Sequence, residues 1–357
     1  MNILVYNWRD IKNPEAGGAE VFTHENARRW VEKGNEVTMF TSAFSGCGKE
    51  EMVDGISIIR DGGKYSVYWK AKEYYNKYFK GNFDIVIDEI NTRPFLTPKF
   101  VNNGEKVVAL IHQLAREFWF YETGFPANYI GYYFLEERWL RNYINIPTIT
   151  VSESTKKDLM TLGFNKVSIV PEGINFKPLE SLPEKEITPT FIFVGRLKKA
   201  KLPDHAIRAF KIIKEKLPDA KLWVVGDGYY RKELEKMSGT GVEFFGSVTQ
   251  EKKLGLMSKA QAILVPGVRE GWGLVVTEAN AMGTPAVGYN VHGLRDSIKD
   301  GETGLLCEPK PEAMAERALE LTRDGVLLER LSRNALVWAG EFNWERSAEE
   351  FLRAIEG

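Results

Sequence analysis

Cysteine is nearly absent from this chain. Only Cys47 and Cys307 occur in 357 residues, far apart, which excludes a disulfide framework and a cysteine-based zinc site. Net charge is missing as well: 48 Lys and Arg stand against 49 Asp and Glu, leaving −1. Without a global basic field the chain is a poor partner for a phosphate backbone, so nucleic acid is not expected. Long apolar runs do not occur. The longest stretch free of Asp, Glu, Lys and Arg, Ala279 to Leu294, is broken by Asn, Gly, Thr and Pro. A membrane-crossing helix needs roughly 18 apolar residues in a row. The opening Met1-Asn2-Ile3-Leu4-Val5-Tyr6 reads as a strand, with neither the basic flank nor the apolar core of a signal peptide. The expectation is a soluble, cytoplasmic protein.

What is present is the composition of a globular protein, 43% hydrophobic and 27% charged. At roughly 150 residues per domain the length points to two domains. Short Val- and Ile-rich runs alternate with helix-like segments: Ile3–Asn7, Val37–Phe40, Ile85–Asp88 and Val107–His112 in the first half, Thr190–Val194, Leu222–Val225, Ala262–Val265 and Pro285–Gly288 in the second. Runs apolar at nearly every position suit strands buried on both faces of a parallel sheet. The expected fold class is therefore α/β, with two Rossmann-like doubly wound domains facing across a cleft. The first domain is expected over 1–172. The second is expected over 173–340. It opens with a linker, 173–189, rich in Pro and Glu. The segment 341–357 reads as an amphipathic helix starting near Trp344.

Three strand-end segments carry candidate chemistry. The first holds Gly17 and Gly18 between strand one and a helix, where glycine lets amides approach an anion. A loop that merely requires positive φ gives the same pattern. The second, Val194-Gly195-Arg196-Leu197-Lys198-Lys199-Ala200-Lys201, offers Arg196 and Lys201 to one diphosphate. The third is Glu270-Gly271-Trp272-Gly273-Leu274 through Glu278. It sets a glycine-rich helix start between two carboxylates suited to sugar and ribose hydroxyls. Gly226-Asp227-Gly228 lacks the third glycine of a dinucleotide fingerprint.

Glu270 and Glu278, with seven residues between them, resemble the Glu-x7-Glu motif of retaining glycosyltransferases, and the match is to glycosyltransferase family 4 with its GT-B fold. Arg196 with Lys201 has the family's Arg-x4-Lys spacing, and Gly17-Gly18 is similar to its N-terminal glycine loop. Gly304-Leu305-Leu306 resembles the end of its last C-domain loop. Leu202 departs from the glycine that usually follows the lysine.

The resemblance implies a role for each position. Arg196 and Lys201 would stabilise the leaving diphosphate, and Gly17 and Gly18 would close on it. Glu278 would hold the ribose. Glu270 would contact the donor sugar, and Gly271, Trp272, Gly273 and Leu274 would present backbone groups to it. His112 would lie beside the sugar. It further implies that the last helix crosses back to the first domain, and that anomeric configuration is retained. A hexosyl unit would pass from a UDP- or GDP-sugar to a glycan or lipid-linked acceptor, with no cofactor and no essential metal.

Two aromatic-rich segments, 64–80 and 116–144, raise the expectation of peripheral membrane contact at the inner face. The first holds five lysines and one glutamate, and the second eleven aromatics. The same aromatics would also serve as core and cleft wall. A nucleotide-sugar epimerase of the same fold and a non-catalytic nucleotide-sugar-binding protein are the alternatives.

Overall fold

The computed structural model describes residues 1–356. Its contacts divide the chain into two units: Met1–Trp119 with Phe125–Gly173 and Asn343 onward, and Ile174–Phe342 with Phe120–Gly124. The sequence reading placed the boundaries at 172/173 and 340/341. It kept 120–124 in the first domain, whereas that short piece clusters with the second unit.

The first unit is an eight-stranded sheet of β1 (Asn2–Tyr6), β2 (Glu36–Thr41), β3 (Glu50–Val53), β4 (Ile56–Arg60), β5 (Ile85–Glu89), β6 (Lys106–Leu110), β7 (Thr148–Thr150) and β8 (Val167–Ile169). Their order is β3-β4-β2-β1-β5-β6-β7-β8. All neighbours are parallel except β3 against β4. Ile3, Leu4, Val5 and Tyr6 are wholly buried, as helices on both faces of a parallel sheet require. The polar β3 went unread, although its hairpin carries an Asp-Gly signal. Asp54 and Gly55 both take positive φ, 49° and 80°, which is the twist a two-residue hairpin prefers.

The helix Trp344–Glu356 belongs to this unit because its apolar face lies on the helix Gly18–Glu32. Trp344 meets Phe22 at 5.9 Å between ring centroids, and Phe351 meets Trp30 at 4.8 Å. The Arg29 guanidinium reaches Glu345 at 2.8 Å. In the 116–144 region the helix Phe118–Glu122 is followed by an unbroken helical run, in which Ala127–Ile130 continues through the π-helical segment Gly131–Leu135 into Glu136–Leu140 and leaves Tyr129, Ile130, Tyr133 and Phe134 exposed. The region is not basic: Arg116, Arg138 and Arg141 are outnumbered by Glu117, Glu122, Glu136 and Glu137.

The second unit has β9 (Thr190–Val194), β10 (Lys221–Val225), β11 (Val242–Gly246), β12 (Ala262–Val265), β13 (Ala286–Tyr289) and β14 (Gly304–Cys307) in the all-parallel order β11-β10-β9-β12-β13-β14. This is the doubly wound order, and its direction reverses between β9 and β12. The last strand was read only as a loop end. Gly304 opens it because a Cβ there would stand 2.3 Å from the Ala286 carbonyl. No helix among the described residues is long and apolar enough to cross a membrane.

Candidate active site

Open α/β sheets bind ligands outside the carboxyl ends of strands, where the winding reverses. In the second unit those ends are the loops after β9 and β12. The β9 loop is packed tightly on its neighbour: a Cβ on Gly226 would lie 2.0 Å from the Gly195 carbonyl, and one on Gly228 2.4 Å from that of Leu197. The glycines of Gly226-Asp227-Gly228 therefore serve the approach of two loops. Lys201 ends a single 3-10 turn, Lys199–Lys201, and the buried Leu202 after it takes a left-handed conformation at φ 49°. That explains why glycine is the usual residue there.

The Val268 amide donates to the Ala200 carbonyl at 3.1 Å, tying the β9 loop to the β12 loop. Across that tie the Lys201 ammonium donates to both carboxylate oxygens of Glu270 at 2.6 Å each. Glu270 is held from behind as well. Its amide donates to the His292 carbonyl at 3.0 Å. Gly293, at φ 78°, passes so close that a Cβ would meet the Glu270 carbonyl at 2.2 Å. Arg196 sits half-buried in the same β9 loop. The Ala200 amide donates to the Glu122 carboxylate at 3.0 Å, so this loop already receives an anionic oxygen between Arg196 and Lys201.

The helix Leu274–Ala281 follows Gly271, Trp272 and Gly273, with Gly273 at φ 95° as its N-cap. The Trp272 indole is 9% exposed, donates to the Thr277 hydroxyl at 2.9 Å and packs on Phe342 at 5.1 Å. Its side chain thus belongs to the core, and only its backbone is free for a ligand. Glu278, one turn into the helix, receives the Lys253 ammonium on both oxygens at 2.7 Å. Lys253 lies on the separate helix Gln250–Lys259 and was not anticipated. No local pattern announces a pair joined across 25 residues.

In the first unit the winding reverses between β1 and β5. Gly17 caps the helix Gly18–Glu32 at φ −146°, which is extended backbone, and neither Gly17 nor Gly18 takes positive φ. The Gly17 amide donates to Glu20 at 2.7 Å, and Glu20 is paired to Arg9 at 2.9 Å. His112 follows β6 and is buried. Its carbonyl accepts from the Thr155 hydroxyl at 3.1 Å, and its ring meets Phe22 edge-on at 5.0 Å.

The His112 Nε2 lies 3.5 Å from Oε1 of Glu89, the last residue of β5. Burial holds the Glu89 carboxyl above its usual range. Burial also opposes charging His112, but its bond to Glu89 and the fields of Glu89, Glu172 and Glu20 outweigh that, so its pKa is raised. Asp88, one residue earlier, points to the other face. There it accepts the amides of Phe95 and Thr97 and the hydroxyls of Thr97 and Tyr143.

Two family descriptions match adjoining parts of the chain: "Glycosyltransferase Family 4" over residues 16–177 and "Glycosyl transferases group 1" over residues 177–338. The chain belongs to glycosyltransferase family 4. A D-inositol 3-phosphate glycosyltransferase of Nocardioides sp. is 29% identical over 53% of this chain and 48% of the relative. The chain spans about half the length of the first curated relatives it matches.

Among solved structures, a sucrose-phosphate synthase of Thermosynechococcus elongatus superimposes with a TM-score of 0.79 at 21% identity, covering 99% of this chain and 97% of that one. HepE of Anabaena, solved in complex with UDP-glucose, gives 0.75 at 16% identity, covering 100% and 99%. The fold of this family member is thus GT-B. Within its second unit, Arg196, Lys201, Glu270, Gly271, Gly273, Leu274 and Glu278 occupy the strand ends at one winding reversal. Gly17, Gly18 and His112 occupy strand ends in the first unit.

Proposed function

We propose that this chain is a retaining glycosyltransferase, which moves a hexosyl unit from a UDP- or GDP-sugar to a hydroxyl of a glycan or lipid-linked acceptor. The observation that carries the reading is the convergence of Lys201, Glu270 and the Ala200 amide at the β9–β12 reversal, beside the helix start that carries Glu278. This is a seat for an anion bounded by hydroxyl acceptors. Arg196 and Lys201 stabilise charge on the departing diphosphate, Glu278 binds the ribose and Glu270 the sugar. Backbone groups of Gly271 to Leu274 complete the contacts.

With both oxygens engaged by one ammonium, Glu270 is a weak nucleophile, which favours same-face substitution over a covalent glycosyl-enzyme. The bond from the anomeric carbon to phosphate oxygen breaks as the bond to the acceptor oxygen forms, and the departing phosphate oxygen takes the acceptor's proton. Positioning and the two cations then supply the rate, with no metal in any step. The UDP-glucose bound by the Anabaena neighbour supports the donor class.

The lysine-rich 64–80 segment supports peripheral contact with an anionic membrane. Its helix Val67–Tyr74 and following turn expose Trp69, Lys72, Lys77 and Tyr78, with Lys64 and Tyr65 beside them.

Calorimetric titration of a UDP-, GDP- and ADP-sugar panel into wild type and Glu278→Ala tests the transferase reading. One donor bound by wild type and weakened by the substitution is expected. Absence of binding by any donor to folded wild type refutes it. Flotation with anionic vesicles tests the membrane contact, and failure to float removes that part.

A further inference from the structure

The first unit holds a buried polar network that the roles above do not use. Glu89 is 1% exposed, at the end of β5 and beside the winding reversal. Its Oε2 accepts the Asn7 amide at 2.6 Å and the Thr23 hydroxyl at 2.6 Å. Asn7 is itself fixed, because its Oδ1 accepts from the Asn91 amide at 3.1 Å. These bonds aim the remaining oxygen, Oε1, at His112 Nε2. Among the described residues neither atom has a hydrogen-bond partner, although both are buried. An orphaned acceptor opposite an orphaned ring nitrogen has a physical use only if each serves the other. The imidazole also meets the Phe22 ring edge-on, and the Thr155 hydroxyl holds the His112 backbone through its carbonyl.

We propose that Glu89 is a positioning residue for His112: its carboxylate, aimed by Asn7 and Thr23, accepts from the Nε2–H and so fixes the ring with Nδ1 presented to a bound sugar hydroxyl. The proposal rests on the transferase reading for what Nδ1 contacts, but not for the pair itself. A carboxylate on one ring nitrogen selects the tautomer and presents the other nitrogen in a defined state. Such a partner is worth most where the ring must meet a polyol in one orientation. The other charged groups around His112 are Glu20 on the helix Gly18–Glu32, with its partner Arg9, and Glu172 after β8. Among the described residues, Glu89 alone is recorded within ion-pair distance of Nε2.

The test compares wild type with Glu89→Gln, Glu89→Asp and His112→Ala. Histidine ring signals followed by NMR against pH read the pair without turnover. His112 is expected to titrate about one pH unit lower in Glu89→Gln, with Glu89→Asp between the two. In Glu89→Gln, donor hydrolysis or transfer is expected to fall at least tenfold, with donor Kd changed less than threefold. The histidine-dependent limb of its pH–rate profile should move to lower pH. Glu89→Gln with His112→Ala should be no worse than His112→Ala alone. If Glu89→Gln fails to fold, Glu89→Asp carries the same comparison. An unchanged His112 titration overturns the proposal, and so does full turnover with an unmoved profile. If wild type turns over no nucleotide sugar, the transferase reading fails and the titration alone decides the pair.

Discussion

Replacing Lys201 by Met separates two roles that the structure gives one ammonium. Lys201 is 28% and Glu270 12% exposed at the side chain, so the substitution leaves a mostly buried carboxylate without its cation. Removing one partner of a fully buried pair costs about 3–5 kcal/mol, and the exposure of Lys201 brings the expectation down to about 2 kcal/mol. For a unit of this size that lowers the transition of the second unit by about 4–8 °C. Loss of a charge-assisted contact to a diphosphate is worth about 1.5–3 kcal/mol, or roughly 10–150-fold in donor affinity.

The double variant Lys201→Met with Glu270→Gln removes both charges. It should recover most of the melting temperature while donor affinity stays low. Calorimetric melting and donor titration on wild type, the single variant and the double variant make the test. A single variant that melts early yet binds donor at wild-type affinity refutes the diphosphate role. A double variant no more stable than the single refutes the account of an unpaired buried carboxylate.

Three further outcomes follow from local geometry. Leu197→Gly and Leu202→Gly each remove a buried leucine, but only Leu202 sits at positive φ. Chemical denaturation should therefore find Leu202→Gly less costly by about 1–2 kcal/mol. Lys185 is half-buried with its ammonium on the Ser258 carbonyl and the Thr284 hydroxyl, and desolvation pushes its pKa from 10.5 to about 7. The unfolded chain binds the proton that the folded chain sheds, so this site costs stability at pH 7, and the cost shrinks as pH rises toward 10.5. Lys185→Met should raise the melting temperature at pH 7 by the equivalent of about 2 kcal/mol, after two lost hydrogen bonds, and by less at pH 10. Phe351→Ala should cost about 3–5 kcal/mol in urea unfolding, because the ring is 1% exposed between Trp30 and Phe22. A loss below 1 kcal/mol would mean that the C-terminal helix does not hold the first unit's core.

The sequence by itself determined the doubly wound architecture, because strands buried on both faces must be apolar throughout and helices between them must be amphipathic. It also carried the Glu270, Glu278, Arg196 and Lys201 spacing, since all four lie just after strand-like runs, although only the strand order sets β9 beside β12. Two elements escaped it: β3, which starts Glu-Glu and has no hydrophobic signature, and β14, which is apolar but only four residues long.

The tertiary structure decided the partners. That Lys201 holds Glu270, that Lys253 holds Glu278 and that Glu89 faces His112 depends on strand order, which brings together residues 69, 25 and 23 positions apart. It decided as well that the Trp272 indole belongs to the core and that Asp88 and Glu89 serve opposite faces of β5. Side-chain direction at a strand end follows from register, and register exists only once the sheet has formed.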